Sequence, residues 1–177
     1  MSNYRRLPAP GGIYFFTVNL ADRSERLLTE NIALLRRAFA IARRNSPLTI
    51  EAIVILPDHL HCMWTMPSGD RDFSSRWQLI KARFSQGVSH AENVSASRAA
   101  RHERGIWQRR FWEHAIRDEN DYAAHLDYIH YNPVKHGHAR RAVDWPLSSL
   151  HRYVRLGAYP VDWADGEART GSFGEAM

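Results

Sequence analysis

The stretch "LTIEAIVILPDHLHCMWTM" (48–66) constrains the fold more than any other part of the chain. Two strongly apolar runs of strand length are separated by Pro57 and Asp58, a turn signal. Both runs are rich in β-branched and aromatic residues, so together they predict a buried antiparallel hairpin. Upstream, "GGIYFFTVNL" follows a Pro-Gly turn signal and predicts a first strand. Between these, "LTENIALLRRAFAIARRN" spaces its apolar residues at helical intervals and predicts an amphipathic helix opening on Thr29 or Glu30.

Beyond the hairpin, "DFSSRWQLIKARFSQGV" predicts a second helix, with Asp72 or Ser74 near its cap and Trp77, Ile80 and Phe84 on one stripe. A polar, aperiodic loop, "HAENVSASRAARHERG", leads into the strand-like "IWQRRFWEHAI". A last helix in "RDENDYAAHLDYIHYNPVKHG" is predicted to start at Asp118 and to stop on Pro133 and Gly137. The order strand, helix, strand, strand, helix, strand, helix is the split βαβ pattern of a ferredoxin-like domain with one added helix. The expected class is therefore α+β, an antiparallel sheet with helices packed on it. We expect a catalytic domain over 1–150, with "DWPLSSLHRYV" as a packed segment, and a partly mobile extension over 151–177.

Composition narrows the class. The length of 177 residues suits one domain, and no apolar run approaches the roughly 18 residues of a membrane span. The start, "MSNYRRLPAPGG", lacks a signal-peptide core, and the lone Cys62 forms no internal disulfide, so a cytoplasmic protein is expected. Cys62 itself reads as a small apolar side chain. The net charge is +5, and "RAARHERGIWQRRFWEHAIR" holds six arginines against two glutamates. Cations interleaved with Trp107, Phe111 and Trp112 suit phosphate contact with base stacking, or equally a solvated basic face.

Alternation along a strand puts His59 and His61 on one face and Leu60 on the other. Two imidazoles a residue apart are half of a divalent-metal site, or else a partly exposed pair at a strand end. No second Cys or His cluster completes a structural zinc tetrahedron. On the last helix, at about 100° per residue, Tyr128 and Asn132 lie roughly 40° apart, with His125 on the same face and Tyr131 about 100° away. That face offers a phenol, an amide oxygen and an imidazole. Each also has a plain structural reading: Tyr128 at the core edge, Asn132 ending the helix before Pro133. His125, Tyr122, His130 and Tyr131 read as packing or nucleic-acid contacts.

Taken together, "GGIYFFTVNLADR", "LPDHLHCMWTMPSGDRDFSSRW", "IWQRRFWEH", "DYIHYNPVKHG" and "DWPLSSLHRYV" resemble the REP-associated tyrosine transposases, relatives of the single-tyrosine HUH transposases. HUH denotes histidine, hydrophobic residue, histidine, here His59-Leu60-His61. The resemblance implies the HUH endonuclease architecture and a metal-dependent enzyme that cuts and joins single-stranded DNA at REP-type hairpins through a 5′-phosphotyrosine. It implies His59, His61 and Asn132 as ligands of Mg²⁺ or Mn²⁺ and Tyr128 as nucleophile. Related insertion-sequence transposases carry glutamine where Asn132 stands, so the shorter amide must approach the ion more closely.

His125 is an accessory candidate at the site. Arg5, Arg6, Arg109, Arg110 and Lys135 are candidates for DNA contact, while Lys81 and Arg83 read as solvated surface. A monomer is favoured over a homodimer, acting in the cytoplasm at the nucleoid. The rival readings are a hairpin-binding regulator that does not cleave and a small hydrolase using "HLH" and Cys62.

Overall fold

The structure is a computed structural model and describes residues 12–89, 97, 100 and 104–165. Four strands, β1 (Ile13–Asn19), β2 (Thr49–Ile55), β3 (His59–Thr65) and β4 (Trp112–Ala115), form one sheet in the order β2-β3-β1-β4. Every neighbouring pair is antiparallel. This is the expected α+β arrangement, with the hairpin β2–β3 as predicted and β1 and β3 in the centre.

Alternation sorts the two central strands into two cores. Tyr14, Phe16 and Val18 of β1 with Leu60, Cys62 and Trp64 of β3 face helices α2 (Ile32–Asn45) and α3 (Phe73–Gly87). There Trp64 and Trp77 stack at 4.4 Å, among the largest fully buried side chains. Phe15 and Met63 face the opposite way, with Ala52 and Val54 of β2, onto helix α4 (Glu119–Lys135) and its Leu126, Tyr128 and Ile129. Burial on both faces is why these strands read as continuous apolar runs.

Three local expectations are corrected. The first helix is broken: a single turn, α1 (Leu27–Glu30), precedes α2, and Asn31 between them has φ −112°. Its side-chain amide donates to the Leu27 carbonyl, a local bond that competes with helix continuation. The fourth strand is short, because between the Leu20–Trp107 bridge and the Thr17–Trp112 pair its chain carries two more residues than β1 does. The excess bulges out around Arg109 and Arg110, which are exposed. The last helix does not stop at Asn132 but runs through Pro133 to Lys135, and Gly137 at φ 69° terminates it. So near its end the proline forfeits a single intrahelical bond, and burial of Asn132 and Pro133 against the sheet outweighs it.

The segment after α4 seals the outer edge of β2. Ile55 N–H donates to Leu147 O, Ser149 N–H to Ile53 O, and Ile53 N–H to the Ser149 hydroxyl. Trp145 adds an indole bond to Ile55 O, as expected for a packing residue, and helix α5 (Leu150–Arg155) follows. No helix among the described residues is long and apolar enough to cross a membrane.

Candidate active site

His59 and His61 project from β3 toward α4, 99–100% buried, with ring centroids 5.0 Å apart. The strand register places His61 opposite Thr17 and His59 opposite Asn19. His61 Nδ1 lies 2.8 Å from the Thr17 hydroxyl. His59 Nδ1 lies 2.8 Å from Asp58 Oδ1, and since a carboxylate only accepts, the ring donates from Nδ1. Burial raises the Asp58 carboxyl, but hydrogen bonds from His59 and Arg23 outweigh it and hold the group well below the usual carboxylate range.

That bond fixes the tautomer. The lone pair of His59 falls on Nε2, which is buried with no hydrogen-bond partner. A buried acceptor left in this way suits a cation, and a carboxylate behind a ligating imidazole is the usual support for one. Arg23 Nη2 lies 3.3 Å from the same Nδ1, too long to displace the Asp58 bond, and Arg23 is held there by Asp58 itself.

Helix α4 brings the phenol. The Tyr128 ring packs edge-on to His61 at 5.1 Å, and its exposure is 7%. Asn132 follows one turn later, fully buried, so continuation of the helix through Pro133 keeps both on the sheet-facing side. Lys135, a candidate for DNA contact, is here an active-site neighbour: its ammonium donates to the Tyr128 hydroxyl at 3.3 Å and lies 4.8 Å from the ring centroid. His136, which sequence reasoning passed over, caps α4 and sets its ring 5.1 Å from that of His59.

His125 lies one turn before Tyr128 and joins a different group. With His114 of β4 and Asp121 it brings three ligand atoms within 4.8 Å of one another, close enough to hold a metal ion. Asp121 is heavily engaged already: Oδ2 accepts from His114 Nε2 at 2.8 Å and from Arg117 N and Nε, both at 3.0 Å. Burial raises the Asp121 carboxyl, yet bonds from Arg117 and His114 hold it well below the usual range. The guanidinium on that carboxylate opposes a further cation, so the group reads as an ionic knot, open to solvent at Arg117, tying β4 to α4. Phe15 stands beside it, its ring 4.8 Å from His125, 5.6 Å from His61 and 6.0 Å from Tyr128.

Other expected positions fall as follows. Arg109 and Arg110 sit exposed on the bulge, and Arg5 and Arg6 lie outside the described residues. Cys62 points to the α2–α3 side, away from the histidines, and burial pushes its thiol well above the ordinary range. It is inert packing, and a hydrolase built on "HLH" with Cys62 is excluded by the alternation of the strand. Lys81 is not solvated surface: it is tucked against Trp107 and Phe111, while Arg83 is exposed.

No protein-family model matches the chain. The chain is 49% identical over 177 residues, its whole length and 99% of the relative, to a REP-associated tyrosine transposase of Escherichia coli (strain K12). Among solved structures it is similar to a REP-associated tyrosine transposase bound to a REP hairpin. The TM-score is 0.84 at 48% identity, covering 100% of this chain and 99% of the other.

Proposed function

The chain belongs to the REP-associated tyrosine transposases, enzymes that cut and rejoin DNA, and from that premise we propose that it acts on single-stranded REP-type hairpins through Tyr128. The observation that carries the residue assignment is the meeting of Tyr128 with His61 beside a buried, unpartnered His59 Nε2.

His59, His61 and Asn132 would hold a divalent cation, Mg²⁺ or Mn²⁺. When bound, such an ion polarises the scissile phosphate and offsets charge developing on its oxygens. Tyr128 supplies the nucleophile. Its oxygen attacks phosphorus as the phenolic proton passes to water, an O–P bond forms, and the bond to the 3′ oxygen breaks, releasing a 3′-hydroxyl as that oxygen takes a proton back from water. The DNA remains attached as a 5′-phosphotyrosine, so the bond energy is kept and a second 3′-hydroxyl reverses the step to join strands. Lys135 places positive charge beside the attacking oxygen, where the phenolate needs it. Thr17 and Asp58 orient the two imidazoles, and Phe15 excludes water from the inner side of the phenol.

His125 supports the site from the adjoining knot, and Arg109 and Arg110 on the bulge offer phosphate contacts. The sealed β2 edge favours a monomer over edge-paired copies. We place the catalytic domain at 1–150, with 151–177 as its extension, working in the cytoplasm at the nucleoid.

The test is a flanked hairpin oligonucleotide incubated with Mg²⁺ or Mn²⁺ and resolved under denaturing conditions. A covalent protein–DNA adduct is expected, absent in Tyr128→Phe and absent with chelator. An adduct that survives in Tyr128→Phe overturns the assignment. Loss in Tyr131→Phe with retention in Tyr128→Phe would move the nucleophile to the neighbouring face.

A further inference from the structure

On the opposite side of the sheet from Tyr128, a cavity of about 680 Å³ opens between α3 and the segment 104–111. That volume lies in the range of small-ligand sites. Its lining includes Trp77, Lys81, Trp107, Gln108, Arg109 and Phe111. Lys81 is the unusual member. Its ammonium donates to the Gln108 carbonyl at 2.8 Å and lies 5.9 Å from the Trp107 centroid and 5.5 Å from that of Phe111.

Among the described residues no carboxylate pairs with Lys81. Burial pushes its ammonium down to about 8. Holding a cation out of water over two rings, with only a neutral carbonyl to bond, is costly for a structural role, which leucine or methionine would fill better. It suits a site that completes itself with an anion. The rings beside it suit a base, since every nucleobase has a π-face.

Resting on the reading of this enzyme as one that handles single-stranded DNA, we propose that the cavity receives one unpaired nucleotide of the substrate strand, its base against Phe111 and Trp107 and its phosphate on Lys81. The rim of the cavity is tied by backbone to the strand end beside the active site. Gln108 N–H donates to Asn19 O at 3.0 Å, and Asn19 is the register partner of His59. A strand crossing the end of β1 therefore reaches both faces of the sheet. The bulge at Arg109 and Arg110 flanks that route with exposed cations.

The experiment places 2-aminopurine at each position of the unpaired flank of a hairpin and measures fluorescence and affinity against salt. One flank position is expected to quench on binding. In Lys81→Gln that quenching is lost, affinity falls roughly tenfold, and the slope of log K against log salt drops by about 0.7, one single-strand phosphate. Lys81→Arg restores the slope, and a hairpin without flank binds both variants as it binds the wild type. Thermal melting of Lys81→Gln at or above the wild-type midpoint confirms that the fold is kept. Equal affinity and slope for Lys81→Gln on the flanked hairpin overturn the cavity assignment while leaving the hairpin reading standing. Quenching of a flank base in an unstructured strand, with no preference for the hairpin, keeps the cavity and overturns the hairpin reading.

Discussion

Helix α4 meets the sheet through histidines at two places, with His114 and His125 gathered round Asp121 and, two turns on, with His59 and His61 beneath Tyr128. Both groups hold a buried histidine and both contain a carboxylate, but the carboxylates stand in different positions. Asp121 sits in the middle and is consumed by three donors, one of them a guanidinium. Asp58 stands behind its imidazole and takes the Nδ1 proton, which turns the lone pair of His59 outward to Nε2. The first arrangement spends its carboxylate on donors of its own and stabilises the fold. The second leaves an acceptor for something else. Counting histidines and acids does not separate them; the place of the carboxylate, between the imidazoles or behind one of them, does.

The contrast breaks most sharply at His59. His59→Ala is expected to lower adduct formation on a hairpin oligonucleotide by roughly 10²–10³-fold, the scale of losing a main stabiliser of transition-state charge. A variant of His59 with wild-type rates would make the two groups equivalent after all. Asp121→Asn is expected to do the reverse, costing about 3 kcal/mol of stability because it removes the charge that three hydrogen-bond donors share. In a melt that is a fall of roughly 10 °C, with metal-dependent cleavage kept at low temperature. Lys135→Gln sharpens the boundary of the catalytic half. Single-turnover cleavage should slow about tenfold while hairpin affinity holds within about twofold. Reduced affinity with an unchanged rate would return Lys135 to the role of a plain DNA contact.

Acid gives the mildest test. Burial depresses the His125 imidazole below its ordinary 6.5, so the unfolded chain binds its proton first. The stability it contributes is complete above pH 6.5 and is lost as the pH falls below that value. The Asp121 carboxyl is depressed too, so its contribution is complete above about pH 4 and is lost as the pH falls through its folded value. Denaturant midpoints should therefore fall in two stages. Asp121→Asn should shrink the lower stage, to which Asp58 also contributes, and leave some of the upper; a single stage in the wild type would contradict the separation.

How much of this was legible beforehand depended on range. The hairpin and the shared face of His59 and His61 follow from period-two alternation, and the buried face of α4 follows from helical periodicity. Both are local rules, and both held. Of the two stop signals on α4, the local preference before Pro133 yielded to burial of Asn132, and Gly137 ended the helix. The two extra residues at Arg109–Phe111 have no local signature; they appear only when that segment is set against β1. Lys81 lies about 40° from Trp77 on a helical wheel, at the margin of the buried stripe, where a lysine reads as snorkelling to solvent; the return of Trp107 and Phe111 covers it. Arg23 and Asp58, 35 residues apart, leave no periodic trace at all. His136 had a signal in "VKHGH", since the glycine that ends α4 fixes where the preceding ring must sit.

The strap at Leu147–Ser149 has a consequence in time. Ile53 waits for a partner 96 residues downstream, so while the chain is being synthesised the outer row of β2 amides has nothing to bond. An apolar strand edge left open through most of translation is the species most prone to pair with a neighbouring nascent chain. Completion of this sheet is thus one of the last events of folding, and a chain truncated before residue 147 carries its active-site residues on a sheet whose edge never closes.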